Sequence, residues 1–344
     1  MVYYVIAIVL VAFVFDFING FHDSANSIAT IVGTRVLTPF KAVLWAALFN
    51  FLAAFTTGTA VAKAVGSGFI DVKLLDANLI FAALLGAIAW NLITWWFGIP
   101  SSSSHALIGA MAGSGLAKGG LAAITWGTKW NQTLVAIVLS PTLGALVAMV
   151  LMFFVMWLFY RVRASRAERF FKIAQLGSSG FLSLAHGSND AQKTMGVIMA
   201  LLVGTQQYFV NETGLLHHMY IQNFDRVPYW IEICAYTAIA LGTFFGGWRI
   251  VHTMGTRITK LRPVGGFCAE TAGAAVIYTA SHFGIPVSTT HTITGSIVGV
   301  GSTQRLSAVR WGIAGRIVWA WVLTIPASAI MAAVAYMILR TIAG

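Results

Sequence analysis

The stretch Gly98-Ile-Pro-Ser-Ser-Ser-Ser-His105 follows an apolar run over residues 77–97, and it recurs later in the chain as Gly284-Ile-Pro-Val-Ser-Thr-Thr-His291. Gly and Pro interrupt a helix, and the hydroxyl residues that follow are favoured at the start of a new one. A helix start offers free N–H groups and the positive end of the helix dipole, so each copy predicts an anion site. The predicted anion ligands are Ser101, Ser102, Ser103, Ser104, Ser288, Thr289 and Thr290.

A second motif is also present twice, as Asn19-Gly-Phe-His-Asp-Ser-Ala-Asn-Ser27 and His186-Gly-Ser-Asn-Asp-Ala-Gln-Lys-Thr194. Its shared core is a Gly followed three residues later by an Asp, at Asp23 and Asp190. Both carboxylates fall inside apolar runs, where acids are costly and usually functional. The neighbouring amides are those of Asn26, Asn189 and Gln192, and we expect them, together with Lys193, to take part in substrate binding as well. These groups predict either a proton site or a sodium site at Asp23, Asn26, Asn189 and Asp190.

The composition explains why such motifs stand out. Only 9% of the 344 residues are charged and 58% are hydrophobic, whereas an ordinary soluble domain has roughly 25% charged residues. A soluble enzyme, a disordered chain and a disulfide-stapled secreted domain are therefore excluded, and a polytopic helical membrane protein is predicted. The apolar runs cover residues 2–34, 42–62, 77–97, 99–117, 131–160, 173–204, 228–248, 263–283, 284–302 and 311–340. The runs 2–34 and 173–204 are interrupted by the polar residues of the second motif.

The basic residues predict the orientation of the chain. The net charge of +11 comes from short clusters between apolar runs, a pattern typical of cytoplasmic loops and not of a nucleic-acid-binding face. Arg161–Lys172 carries five basic residues and one acid, so we place it inside. Alternation from this segment puts both termini outside a cell membrane, with the lipid bilayer as surroundings.

The order of the two motifs predicts an internal duplication. We expect an N-terminal repeat over residues 1–160, a basic cytoplasmic linker over 161–172 and a C-terminal repeat over 173–344. An odd number of crossings in each half inverts the second half relative to the first. The predicted fold is all-α, with two inverted-topology repeats, broken helices, re-entrant hairpins and about 10 to 12 transmembrane segments. An anion pocket and a cation pocket in such a fold predict coupled transport.

The motifs Gly20-Phe-His-Asp-Ser-Ala-Asn-Ser27 and Gly187-Ser-Asn-Asp-Ala-Gln-Lys-Thr194 resemble the Gly-Ala-Asn-Asp-Val-Ala-Asn-Ser repeat of the inorganic phosphate transporter (PiT) family. That family comprises bacterial low-affinity phosphate permeases and animal sodium–phosphate relatives. The hairpin motifs match as well, and the resemblance covers nearly the whole chain. It implies re-entrant hairpins over 99–117 and 284–302, a phosphate site between the motifs, cation coupling without a cofactor, and a homodimer.

Two departures from the family pattern bear on the coupling ion. The pattern has Asn where this chain has His22 and, in the second copy, Asn where this chain has Lys193. Both changes remove neutral oxygen ligands from a sodium site, and a His titrates near neutral pH. We therefore expect proton coupling in preference to sodium, with transport of a neutral metal–phosphate complex as a further alternative. Lys193 is either a coupling device that adds charge to the site or a structural partner of Asp190.

Several residues and functions stay open at this level. His105 and His291 either support the hairpins or belong to the site, and Glu270 is a second coupling candidate because animal members carry a glutamate in the matching segment. Asp16 has no acidic counterpart, since Ser183 aligns with it, so we expect it to lie at the periphery. The alternatives to phosphate transport are a transporter of sulfate or another oxyanion, and an anion channel. No catalytic residues are predicted and no enzyme is expected, since nothing resembles a nucleophile–base pair.

Overall fold

The computed structural model describes residues 1–56 and 58–343. The α-helices in this part of the chain are α1 Val2–Gly33, α2 Pro39–Leu52, α3 Ala60–Gly68, α4 Ala77–Trp96, α5 Ser103–Gly119, α6 Thr128–Leu158, α7 Ala164–Gly204, α8 Tyr229–Phe245, α9 Trp248–His252, α10 Pro263–His282, α11 Thr289–Gln304 and α12 Trp311–Ala343. A π-helix, Thr253–Arg257, continues α9. No β-strand occurs in the described ranges, so the predicted all-α class is confirmed.

The helices begin where local chemistry favours a start. Pro39 and Pro263 occupy the first turns of α2 and α10, where a missing N–H has no cost. The side chain of Asp76 accepts a 2.8 Å hydrogen bond from the N–H of Leu79 and caps α4. Pro141 and Pro326 lie inside α6 and α12, which nevertheless run on as continuous helices.

Five helices are long and apolar enough to cross a membrane by length and composition: Val2–Gly33, Ala77–Trp96, Ser103–Ala123, Thr128–Leu158 and Trp311–Ile342. Two bent helix pairs add up to two further crossings. The helices α7 and α11 are more polar because they carry many of the buried polar side chains of the motifs. The chain is therefore a polytopic membrane protein, as predicted.

The helix breaks fall outside the aspartate motifs. We expected interruptions within 2–34 and 173–204, but α1 and α7 continue through both motifs. The bends lie instead in runs that the sequence presented as single crossings. Pro39–Phe55 meets Ala60–Gly68 at 83°, and Tyr229–Phe245 meets Trp248–Arg257 at 62°. Side-chain hydrogen bonds between helices satisfy many of the polar groups of the motifs, so their backbone need not unwind.

The two predicted hairpins have the same backbone geometry. Gly98 and Gly284 adopt φ angles of 63° and 64°, a left-handed conformation that suits glycine. In both copies the N–H of the residue after this glycine donates a hydrogen bond to a backbone carbonyl of the preceding helix. Ile99 donates to Thr94 and Ile285 donates to Ala280, each at 2.9 Å. Helices α4 and α5 pack together across the first turn, as α10 and α11 do across the second.

The two halves run in opposite directions through the molecule. Thr34, directly after the end of α1, donates a 2.9 Å hydrogen bond to Gln175, near the start of α7. Helices α1 and α7 also pack along each other and are therefore antiparallel. Helix α5 packs on α12 and α11 packs on α6, so each hairpin helix lies against the last helix of the other half. The basic segment around 161–172 lies between α6 and α7 and is largely helical, since α7 begins at Ala164.

The apolar core consists of two clusters separated by a belt of buried polar side chains. One cluster joins the first half of α1 to α4 and to the last turns of α7. The other joins the end of α1 to α9, α10 and α11. The two aspartate motifs and the starts of both hairpin helices form the belt between them. Polar groups in this position are shielded from lipid on every side, which is where a membrane protein tolerates them.

Candidate anion and cation site

The starts of the two hairpin helices are capped in the same way. The hydroxyl of Ser102 accepts a 3.2 Å hydrogen bond from the N–H of His105, and the hydroxyl of Ser288 does the same for His291. Each cap satisfies one N–H of its helix and leaves those of the first two helical residues available. Because these groups carry the positive end of the helix dipole, they are suited to binding an anion.

Aromatic contacts hold the two helix starts side by side. The rings of His105 and His291 are in contact, with centroids 4.8 Å apart, and His291 stacks on Trp321 at 3.9 Å. Trp321 also donates a 3.2 Å hydrogen bond to the carbonyl of Pro100 in the first hairpin. One side chain of α12 therefore touches both hairpins. The structure brings His105 and His291 together directly behind the capped helix starts.

The first aspartate is bound to its neighbouring histidine and to a hairpin serine. Asp23 Oδ1 lies 2.6 Å from His22 Nδ1, and Asp23 Oδ2 accepts a 2.7 Å hydrogen bond from Ser103. The other nitrogen of the ring, His22 Nε2, lies 3.0 Å from the hydroxyl of Thr94 on α4. Ser101 donates to the same hydroxyl at 2.9 Å. His22 is thereby linked to both α4 and the first hairpin.

The second aspartate is paired with a lysine that contacts both hairpins. Lys193 Nζ lies 2.6 Å from Asp190 Oδ1, donates to the hydroxyl of Ser104, and donates to the carbonyl of Val287 at 3.1 Å. These three acceptors use the full hydrogen-bonding capacity of the ammonium group. The other carboxylate oxygen of Asp190 lies 3.4 Å from the hydroxyl of Thr289. The ammonium therefore lies between the starts of the two hairpin helices.

The contacts repeat across the two halves. Asn26 Nδ2 donates to the hydroxyl of Thr290 at 2.9 Å, and Lys193 and Ser104 occupy the equivalent positions in the other half. The contact between Asp23 and Ser103 in the first half also matches the contact between Asp190 and Thr289 in the second. Each motif therefore bonds to both hairpins, so a shift of either hairpin changes the surroundings of both carboxylates.

His186 belongs to this cluster, although the sequence analysis gave it no role. Ligand atoms of Asp23, His186 and Asp190 lie within 4.8 Å of one another, and all three residues are buried. His186 Nε2 lies 3.4 Å from Asp190 Oδ2, and Nδ1 lies 3.1 Å from Asn50 Oδ1. The available signal was its position one helical turn before Asp190, which puts both side chains on one face. These three groups can hold a small cation together.

The two remaining amides differ in position. Asn189 donates to Ser281 at 2.8 Å, and its Oδ1, like that of Asn26, has no hydrogen-bond partner among the described residues. Both oxygens remain available to a ligand. Gln192 accepts from the N–H of Val61 at 2.9 Å and donates to the carbonyl of Ser188 at 2.6 Å. It thus holds the start of α3 and faces a cavity of about 150 Å³ that Ser281 also lines.

Glu270 lies in a separate polar cluster. Its carboxylate accepts hydrogen bonds from Thr30 at 2.6 Å, Gln175 at 2.8 Å and Ser178 at 2.5 Å. Thr30 is almost two turns beyond Asp23 on α1, toward the end of the helix that meets the start of α7. The cluster therefore ties α1, α7 and α10 together on that side of the belt, and Glu270 does not contact either motif aspartate.

Asp16 lies next to the site and not at its periphery, contrary to our expectation. Its side chain is fully buried, close to Asn19 and Thr194 and within electrostatic range of Asp190 and Lys193. The alignment of the halves was misleading because it compares equivalent positions, whereas Asp16 reaches α7 across the interface between halves. Three buried carboxylates, those of Asp16, Asp23 and Asp190, are therefore accompanied by one lysine, Lys193. The resulting negative charge strongly opposes the entry of an anion unless a cation or a proton enters with it.

Residues 19–332 match the model of the phosphate transporter family. The chain belongs to this family. Among its relatives in the phosphate transporter family, a probable low-affinity inorganic phosphate transporter of Rhizobium meliloti is 54% identical over 96% of this chain and 95% of its own length. A protein of the same description from Bacillus subtilis is 43% identical over 98% of this chain and 97% of its own.

A solved structure shares the fold as well. It is described as the sodium-dependent phosphate transporter, and it superposes with a TM-score of 0.83 at 26% identity over 98% of this chain and 99% of its own. The family resemblance inferred from the motifs is thus confirmed over the length of the chain, together with the predicted fold class.

Proposed function

We propose that this protein imports inorganic phosphate by secondary-active symport with protons. The observation that carries the proposal is the position of the Lys193 ammonium, which bonds to Asp190 and to both hairpins. A fixed positive charge between two helix starts favours an oxyanion. The same charge beside Asp190 disfavours a sodium ion there.

In this proposal phosphate binds where the two hairpins meet. The first-turn N–H groups of α5 and α11 and the hydroxyls that follow each Gly-Ile-Pro supply the donors, and the Lys193 ammonium supplies positive charge. Two Asn oxygens without partners, on Asn26 and Asn189, can accept from the hydroxyl of hydrogen phosphate. Sulfate offers no such hydrogen, so this acceptor supply favours phosphate over sulfate.

Coupling follows from the charge balance. With all carboxylates ionised, a phosphate dianion meets net negative charge, because Asp16, Asp23 and Asp190 outnumber Lys193. A proton on Asp23, on its partner His22 or on Asp190 reduces that repulsion and makes phosphate binding favourable. Phosphate and proton therefore bind as a pair, which is the condition for symport.

The choice of proton over sodium rests on the ligands of this chain. A sodium ion needs several oxygen ligands, but His22 and Lys193 supply nitrogen donors at two positions where the family pattern has Asn. The sodium-dependent relative shares the fold, so the difference in ion is proposed to lie in these side chains. Asp23, His186 and Asp190 together could bind a metal ion. A variant of the proposal is therefore that a divalent metal ion is transported together with phosphate.

Glu270 is proposed to act as a gate on the far side of the site. It bonds to two helices of opposite halves, α1 through Thr30 and α7 through Gln175 and Ser178. Opening the site toward that side requires these helices to separate, and the hydrogen bonds of Glu270 oppose that movement. Protonation of this carboxyl weakens the interactions, so Glu270 can couple opening to proton movement.

Two further elements of the proposal concern the surroundings. We place both termini outside the cell membrane because the basic segment 161–172 is expected inside, and we expect a homodimer from the family resemblance. Alternating access then consists of one structural unit rocking against the other around the central site.

The test is uptake of labelled phosphate into proteoliposomes with pH and sodium gradients imposed separately. We expect accumulation with an inward proton gradient and none with sodium alone. Accumulation that requires sodium and ignores pH contradicts proton coupling. Competition by excess sulfate separates the oxyanion classes, and a linear, unsaturable flux indicates a channel. Adding and chelating magnesium tests the metal–phosphate variant.

A further inference from the structure

Asp16 is a buried carboxylate that accepts no close hydrogen bond. It is fully buried in α1, and neither of its oxygens has a donor within 3.5 Å among the described residues, while Thr194 and Asn19 interact with it only as weaker donors. The other three buried acids all have close donors: Asp23 has His22 and Ser103, Asp190 has Lys193, and Glu270 has three. An ionised carboxylate with so few donors in a buried position is very costly. Asp16 therefore needs a proton or a cation.

The position of Asp16 separates two unlike parts of α1. From Val2 to Phe15 the helix contains no acid, base or amide, whereas seven of the twelve residues from Asn19 to Thr30 are polar and buried. Asp16 stands seven residues before Asp23, about 10 Å along the helix. A proton that approaches through the half of α1 nearer the N-terminus meets Asp16 before any other titratable group of that helix beyond its two terminal tyrosines.

The neighbours of Asp16 connect it to the site without neutralising it. Thr194 and Asn19 act on it as weak hydrogen-bond donors, and the charged groups that act on it are Asp190 and Lys193, both on α7. Helices α4 and α8 also pack against α1 but contribute no charge that acts on it. The Lys193 ammonium already donates to three acceptors. A change in the charge of Asp16 therefore acts directly on the Lys193–Asp190 pair.

We propose that Asp16 is a proton-carrying residue of the transport cycle, which receives the proton before phosphate binds and lowers the negative charge of the site. A sodium ion is a poor occupant, because the uncharged polar side chains that act on Asp16 are those of Asn19 and Thr194, which are too few to complete a coordination shell. The inference rests on the proposed proton symport and adds a carboxylate outside the duplicated motifs.

The experiment compares Asp16→Asn with the wild type in two assays. One measures phosphate accumulation driven by a pH gradient, and the other measures exchange of labelled for unlabelled phosphate at equal pH, which needs binding and movement but no net proton transfer. We expect Asp16→Asn to lose accumulation and the pH dependence of exchange, while exchange itself stays within about twofold of the wild type. Asp16→Glu restores accumulation. Asp225→Asn, the same change at an exposed aspartate paired with Lys63, is the matched control and behaves as the wild type.

The outcomes separate this inference from the proposed function. A wild type that accumulates phosphate only with sodium overturns proton symport and the role of Asp16 together. A proton-coupled wild type with an Asp16→Asn variant that accumulates normally overturns the role of Asp16 alone. If Asp16→Asn is inactive in both assays, infrared difference spectroscopy of the wild type and of folded Asp16→Asn decides. A protonated-carboxyl band that titrates in the wild type and is absent from the variant supports the proposal, and an unchanged spectrum overturns it.

Discussion

Lys193 Nζ lies 2.6 Å from Asp190 Oδ1 in a buried ion pair three residues apart on α7. The remaining donors of the ammonium reach one residue of each hairpin. The pair therefore connects α7 to both hairpins. Its two residues differ in how they relate to the duplication. The aspartate repeats in both halves, whereas the lysine replaces an amide that the first half retains at Asn26.

Replacing Lys193 with Asn is expected to change the coupling ion. The amide removes the positive charge and adds a neutral oxygen next to Asp190, so sodium becomes a suitable counter-ion. We expect phosphate uptake by Lys193→Asn to depend on added sodium, measured as the sodium dependence of initial rates in proteoliposomes. Lys193→Met serves as the control, because it removes the charge without adding an oxygen.

Lys193→Met is expected to lose both transport and stability. It leaves Asp190 buried without its cation, which typically costs about 3 to 5 kcal/mol. Thermal unfolding in detergent should show a lower midpoint than for the wild type. A midpoint equal to that of the wild type would indicate that the charge pair contributes little to stability.

Replacing Asp190 with Asn should abolish coupled uptake and leave the protein folded. The amide oxygen can still accept from Lys193, but the group can no longer carry a proton or negative charge. We expect pH-driven uptake to fall at least about thirtyfold, equivalent to about 2 kcal/mol, with normal insertion and a folded protein whose unfolding midpoint is lower than that of the wild type, because the Lys193 ammonium loses its carboxylate partner. Wild-type uptake by this variant would remove Asp190 from the mechanism.

Replacing Trp321 tests whether the two hairpins must be held together. Trp321→Phe keeps an aromatic ring against His291 but loses the hydrogen bond to Pro100, at a cost of about 1 kcal/mol. Trp321→Ala removes both and should cost about 3 to 5 kcal/mol. We expect KM for phosphate to rise modestly in the first variant and strongly in the second, since the donors of the hairpins lose their relative position. An unchanged KM in Trp321→Ala would show that the hairpins are held by other contacts.

Replacing Gly20 with Ala tests the packing that positions the first motif. A Cβ at Gly20 would lie 2.9 Å from the Cα of Ile239 on α8, too close for any real contact, so α1 and α8 must separate. We expect a loss of about 1 to 3 kcal/mol in stability and impaired transport. Gly177→Ala on α7 is the control, because nothing lies within 4 Å of its Cβ, and it should gain about 1 kcal/mol of helix propensity.

Much of the architecture can be predicted from local patterns. The positions of both hairpins follow from Gly-Ile-Pro and the hydroxyl residues after it, since a positive-φ glycine and a capping serine act within one or two turns. Long-range contacts are different. His186, Asp16 and the partners of Glu270 belong to the buried belt because α1 and α7 lie antiparallel, and Thr30 and Glu270 are separated by 240 residues in the sequence.

The same distinction applies to backbone and side-chain roles. The polar motifs were expected to interrupt their helices, since a polar group in hydrocarbon must be satisfied. In the structure the required partners come from other helices, so α1 and α7 continue and the bends occur elsewhere. Gln192 illustrates the converse. It lies in the second motif, but its amide serves the start of α3 and not the centre of the site.

The sequence by itself determined the membrane environment, the duplication, the two hairpins and the chemical groups available for an anion and a cation, because these depend on composition and short-range spacing. Only the tertiary structure decided which groups pair. Lys193 contacts Asp190 and both hairpins, while Asp16 is buried without a close hydrogen bond, and both facts depend on how the inverted halves meet. The physical reason is that a buried charge is stabilised by the polar atoms that lie within about 4 Å of it. Those atoms belong to helices that are far apart in the sequence.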